Sequence, residues 1–126
     1  METKSVVDPT DLTNRYLAVW NEKDEVRRNT AIRALWAEGG GHVAPSIEVY
    51  GHEAIETRVA RTHQRWVVEE GYRFASRGNA TAHHNVVKFT WEMVPAAGGK
   101  AESVGVDLLL LDDDGRLRCV YQFIEE

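Results

Sequence analysis

Asp107 is the single acid in Val104-Gly105-Val106-Asp107-Leu108-Leu109-Leu110-Leu111, a run that otherwise reads as a strand covered on both faces. An ionised carboxylate buried without partners costs several kcal/mol, so such a side chain is paired, held neutral with a raised pKa, or set against a cavity. A neutral or cavity-facing acid can donate or accept a proton near neutral pH, the chemistry of general acid-base catalysis and of hydrogen bonding to a ligand oxygen. The bland alternative is a wetter strand end, where Asp107 meets solvent or a neighbouring arginine.

Other candidate groupings are poorer. His83 and His84 are adjacent in an extended segment, where they would project to opposite faces and not converge on one metal ion. Asp112-Asp113-Asp114-Gly115 lacks the alternating ligands and distal Glu of a calcium loop and reads as a hairpin turn. Gly39-Gly40-Gly41 is followed by no Lys-Ser or Lys-Thr, so it is not a phosphate loop. Cys119, the one cysteine, has no base beside it, which argues against a nucleophilic role. Neither a metal nor another cofactor is expected.

The elements that must position Asp107 fall into two halves. Asp8-Pro9 is a helix start, with Asp8 as the cap and Pro9 in the first turn, and Leu12, Tyr16 and Trp20 follow on one face. A second helix begins at Asp24, carries Ala31, Ile32, Leu35 and Trp36 on its inner side, and is expected to stop at Gly39-Gly40-Gly41. After a short extended piece, His42-Val43-Ala44-Pro45, Gly51 opens a third helix whose inner stripe is Ile55, Val59, His63 and Trp66, and Gly71 closes it. From Tyr72 the pattern alternates, with turn signals at Gly78-Asn79, Ala97-Gly98-Gly99 and Asp113-Asp114-Gly115, which predicts four consecutive strands. Helices followed by an antiparallel meander describe an α+β fold. On the third of these strands Gly105, Asp107, Leu109 and Leu111 share one face, and Val104, Val106, Leu108 and Leu110 share the other. Helices can cover only one face, so the second is expected to meet another copy of the chain.

Composition bounds the function. A chain of 126 residues, 43% hydrophobic, is one domain with room for a single core, residues 1–7 being its flexible start. A net charge of -5 with scattered arginines disfavours nucleic acid. The single cysteine, the absence of a signal-peptide pattern and of any apolar stretch long enough to span a membrane predict a cytoplasmic protein with no membrane contact. Asn79-Ala80-Thr81 matches a glycosylation sequon but reads as a turn.

Taken in order, Asn14-Arg15-Tyr16-Leu17-Ala18-Val19-Trp20, Leu35-Trp36-Ala37-Glu38, His42-Val43-Ala44-Pro45, Gly51-His52-Glu53-Ala54-Ile55, and Asp107 eight residues before Gly115-Arg116-Leu117 carry a family likeness. From about Thr10 to Glu125 the chain resembles the nuclear transport factor 2-like superfamily, in its SnoaL-like and ketosteroid-isomerase-like branch. The resemblance implies a cone in which three N-terminal helices close a curved, mostly antiparallel sheet around an apolar pocket, commonly as a homodimer through the outer sheet face. It also implies that Tyr16 and Asp107 hydrogen-bond a ligand oxygen, Asp107 as a protonated donor, a role for which the isomerase is itself the standard example. The chain departs from those isomerases at the general base, where Ala44 stands in place of an acid, and at their network aromatics, where it has Trp36 and Val59. Steroid isomerisation by that mechanism is therefore not expected.

His42, two positions before Ala44, faces the same way in an extended segment and titrates near neutrality, so it is the substitute base. The alternative is that it packs or sits at the pocket mouth, and His63 on the third helix likewise either reaches the cavity or is satisfied structurally. Trp20, Trp91, Phe89, Val87 and Gln122 complete the expected lining. The resulting expectation is a cavity for a small, mostly apolar molecule bearing a carbonyl or hydroxyl. Isomerase- or cyclase-like proton transfer by Tyr16, Asp107 and His42 is one version of it, and a non-catalytic binding or scaffold protein is the other. An epoxide hydrolase is disfavoured because Ser103 and Gly105 leave the strand around Asp107 without an inward arginine.

Overall fold

Asp8 opens the first helix as expected, its carboxylate accepting the Thr10 and Asp11 backbone N–H groups while Pro9 takes the first helical position. Helix α1 (Pro9–Asn21) buries Leu12, Tyr16, Val19 and Trp20 along its inner side. Helix α2 (Glu25–Leu35), capped by Asp24, buries Ile32 and Leu35. Residues 7–125 are described by the computed structural model; the rest of the expected flexible start lies outside them, and Val7 itself packs against the core.

The glycine triplet does not end α2. The helix stops at Leu35, and Trp36 turns to an extended conformation (φ -89°, ψ 142°) that begins β1 (Trp36–Ala44). Trp36 is fully buried with its indole N–H donated to the Gly41 carbonyl, so the chain must fold back around that ring. Gly40 is then needed for closeness, since a Cβ there would lie 2.8 Å from the Leu117 carbonyl oxygen of the neighbouring strand. A second strand that the sequence pattern did not show, β2 (Ile47–Tyr50), forms a hairpin with β1. Helix α3 (His52–Thr62) follows Gly51 (φ 93°) and continues as a π-helical stretch, His63–Glu69, to Gly71.

Five strands rather than four follow: β3 (Tyr72–Ser76), β4 (Thr81–His83), β5 (Val86–Pro95), β6 (Ser103–Leu111) and β7 (Leu117–Glu125). The extra one arises because His84 takes a left-handed conformation (φ 52°) and closes a tight turn between β4 and β5. That turn also brings the His83 and His84 rings to 5.5 Å edge to face instead of onto opposite faces. No group of three or more His, Cys, Asp or Glu that could hold a metal occurs among the described residues.

The seven strands form one sheet in the order β2-β1-β7-β6-β5-β3, with β4 beside β5. Every pairing is antiparallel except β1 with β7, which is parallel and places His42 opposite Val120. Three helices and this curved sheet make an α+β fold, the helices covering the face that carries Phe89, Asp107, Leu109 and Val120. No described helix is long and apolar enough to cross a membrane.

Candidate functional site

Asp107 lies in the middle of β6, 2% exposed, opposite Phe89 on β5 and Gln122 on β7. One pair along, Trp91 faces Gly105. A Cβ on Gly105 would collide with the Trp91 indole, so the glycine is what lets that ring lie flat across β6. The indole Nε1 thereby reaches Asp107 Oδ1 and donates to it at 2.8 Å. From the helical layer, Tyr16 on α1 donates its hydroxyl to Asp107 Oδ2 at 3.0 Å. Each carboxylate oxygen thus accepts one hydrogen bond from a neutral donor.

Burial dominates the protonation of this cluster. Asp107 is pushed up to about 7 by desolvation, against the opposing effects of the Tyr16 and Trp91 hydrogen bonds and of Arg58. Tyr16 is raised well above its ordinary value by burial and by Asp107 beside it, so it is a neutral phenol. His42 is pushed down to about 3 by burial and then by Arg58, so it is a neutral imidazole. Its Nε2 lies 3.4 Å from Tyr16 Oη, at the long end of hydrogen-bonding distance, and its Nδ1 has no partner.

A cavity of about 50 Å³, partly open to solvent, adjoins the cluster. Its walls are Tyr16, Leu17, Trp20, Arg58, Thr62, Phe74, Trp91, Asp107 and Gln122, so Asp107 is its only acid among the described residues. The polar end is Tyr16, Asp107 and Gln122, and the aromatic walls are Trp20, Phe74 and Trp91.

Of the residues expected at the site, the structure brings Tyr16, Asp107, Trp20, Trp91 and Gln122 to the cavity wall. The others are core. His42, wholly buried, lies behind the cavity wall, its ring 5.2 Å from that of Trp20 and its Nε2 3.4 Å from Tyr16 Oη. His63 offers Nδ1 to the Trp20 carbonyl at 2.9 Å, which satisfies an acceptor left free at the end of α1. Trp36 is committed to the Gly41 carbonyl, and Val59, Val87 and Phe89 are buried to 1% exposure or less, none of them in the cavity wall. Ala44 lies at the end of β1 beside the turn, opposite Ile47. Four lining residues were not anticipated: Leu17, Arg58, Thr62 and Phe74. Arg58 supplies, from α3, the inward arginine that β6 lacks, and its position three residues after Ile55 on the same helix face is the signal that could have found it.

No family model matches the chain, and no curated protein matches it. Solved structures do. A SnoaL-like family protein from Agrobacterium tumefaciens, proposed to be an isomerase, is 29% identical with a TM-score of 0.85, covering 94% of this chain and 97% of that one. A SnoaL-like protein of unknown function from Burkholderia thailandensis is 14% identical with a TM-score of 0.72, covering 97% and 100%. A protein from Jannaschia proposed to be a SnoaL-like polyketide cyclase is 17% identical with a TM-score of 0.64, covering 98% and 92%.

Proposed function

From the SnoaL-like, nuclear transport factor 2-like fold that this chain has, we infer a protein that binds a compact, mostly apolar carbonyl compound in the cavity and moves a proton with Asp107. The observation that carries this reading is the placement of Asp107: a buried carboxyl in an aromatic cavity wall with both oxygens held by neutral donors, a setting in which burial pushes its pKa up to about 7. A general acid-base group works best when its pKa lies near the working pH. As a carboxylate, Asp107 takes a proton from a carbon next to the ligand carbonyl, and the released electron pair moves onto the carbonyl oxygen. Once protonated, Asp107 no longer needs the Tyr16 proton, and the hydroxyl is free to donate to that oxyanion. Return of the proton to carbon completes an isomerase- or cyclase-type step. His42, neutral and behind Tyr16, fixes the phenol and does not itself exchange protons with the ligand.

The test is proton exchange of acetophenone in heavy water, followed by NMR. Deuterium entering the methyl group with the wild type, and lost with Asp107→Asn, supports catalysis. Binding without exchange selects the non-catalytic reading, which Ala44 in place of the family acid favours. No binding overturns both.

We further propose a homodimer through the sheet face away from the helices. Tyr50 at 55%, Tyr121 at 37% and Phe123 at 52% exposure stand there beside Val106 and Leu108, and such an apolar surface is unusual on a monomer.

A further inference from the structure

Among the described residues Arg58 is the one cation in the cavity wall, and no carboxylate lies within ion-pairing distance of it. Arg15, Arg33, Arg65 and Arg77 each have a carboxylate within ion-pairing distance; Arg58 has none. Its Nε is buried without an acceptor, and its guanidinium carbon lies 5.9 Å from the Trp20 ring centroid. The acid that acts on it through space is Asp107, whose two oxygens are already engaged by Tyr16 and Trp91. A half-buried guanidinium stacked on an indole, with an unanswered donor beside an aromatic cavity, is a charge waiting for a partner.

We propose that Arg58 receives a carboxylate on the ligand, so that the cavity takes a compact aryl or alkyl keto acid rather than a neutral ketone. The proposal rests on the reading of the cavity as a ligand site and adds the ligand's charge. The guanidinium fork matches a carboxylate with two parallel N–H donors, which a lysine or an amide cannot reproduce. Trp20, Phe74 and Trp91 enclose the apolar body, and the carbonyl lies toward Tyr16 and Asp107.

Acetophenone and benzoylformate share the aryl carbonyl and differ by the carboxylate, so calorimetric titration of both below about pH 7 separates the two claims. The wild type is expected to bind benzoylformate at least about tenfold more tightly, as a charge-assisted hydrogen bond provides. Arg58→Gln is expected to erase that preference, read as the ratio of the two affinities within each protein, with circular dichroism confirming the fold. Arg58→Lys, which keeps the charge and loses the fork, restores only part of the preference and serves as the second variant should Arg58→Gln not fold. Benzoylformate binding no tighter than acetophenone, or a preference that survives Arg58→Gln, overturns the role of Arg58 and leaves the ligand site standing. Binding of neither probe overturns both.

Discussion

Asp107 and His42 make opposite demands on the pH dependence of stability, and separating them tests the electrostatics of the site. In the folded protein Asp107 titrates near 7 and His42 near 3. In the unfolded chain they titrate at about 4 and about 6.5. Between about pH 4 and about pH 6.5 the native pair therefore holds one proton, on Asp107, and the unfolded pair also holds one, on His42. Stability changes with pH as the proton count of the unfolded state minus that of the native state, so the two contributions cancel in the wild type.

Each substitution exposes the other group. Asp107→Asn leaves His42, protonated only when unfolded, so stability rises with pH across the window. His42→Gln leaves Asp107, protonated only when folded, so stability falls. A window of about 2.5 pH units at about 1.4 kcal/mol per unit gives each slope a span of about 3.5 kcal/mol, against a typical total of about 5–15 kcal/mol. The assay is urea unfolding followed by tryptophan fluorescence at several pH values and one fixed protein concentration. Background slopes from other groups are common to all three proteins and drop out of the differences. Three parallel profiles would refute the reasoning, because they would mean that both groups are solvated.

Three further outcomes follow from the geometry. Gly105→Ala should displace the Trp91 indole at a cost of about 1–3 kcal/mol in urea unfolding, and its fluorescence spectrum should shift. Trp91→Phe removes the donor to Asp107 Oδ1, so the Asp107 midpoint should rise further, read by the infrared carboxyl band. Phe123→Asp on the outer sheet face should turn a dimer into a monomer in sedimentation equilibrium, and a wild type that is already monomeric would dismiss the proposed interface.

The site was legible in the sequence where one residue broke a local pattern. Asp107 interrupts an apolar strand, Tyr16 and Trp20 recur at helical spacing, and strand alternation alone puts Trp91 and Gln122 on inward faces. Arg58 carried a weaker signal: it falls three residues after Ile55, but an arginine on an amphipathic helix ordinarily runs to solvent, and the packing against Trp20 is what fixes where it goes. The role of His42 depended on a long-range fact, that Tyr16 from α1 reaches it across the layer. In the fold, the helix-then-strand order was readable. The extent of β1 was not: a triplet of glycines reads locally as a helix stop, whereas here it serves close approach to β7, a partner far along the chain. The left-handed His84 turn that creates β4 likewise has no Gly to announce it.

Carbon-13 NMR titration of the Asp107 carboxyl group, assigned by its disappearance in Asp107→Asn, shows whether Asp107 is a near-neutral acid facing a ligand. The expected midpoint lies near 7 and moves upward when acetophenone binds, because the apolar ligand displaces water and desolvates the carboxylate further. A midpoint near 4, the same with and without acetophenone, would contradict it.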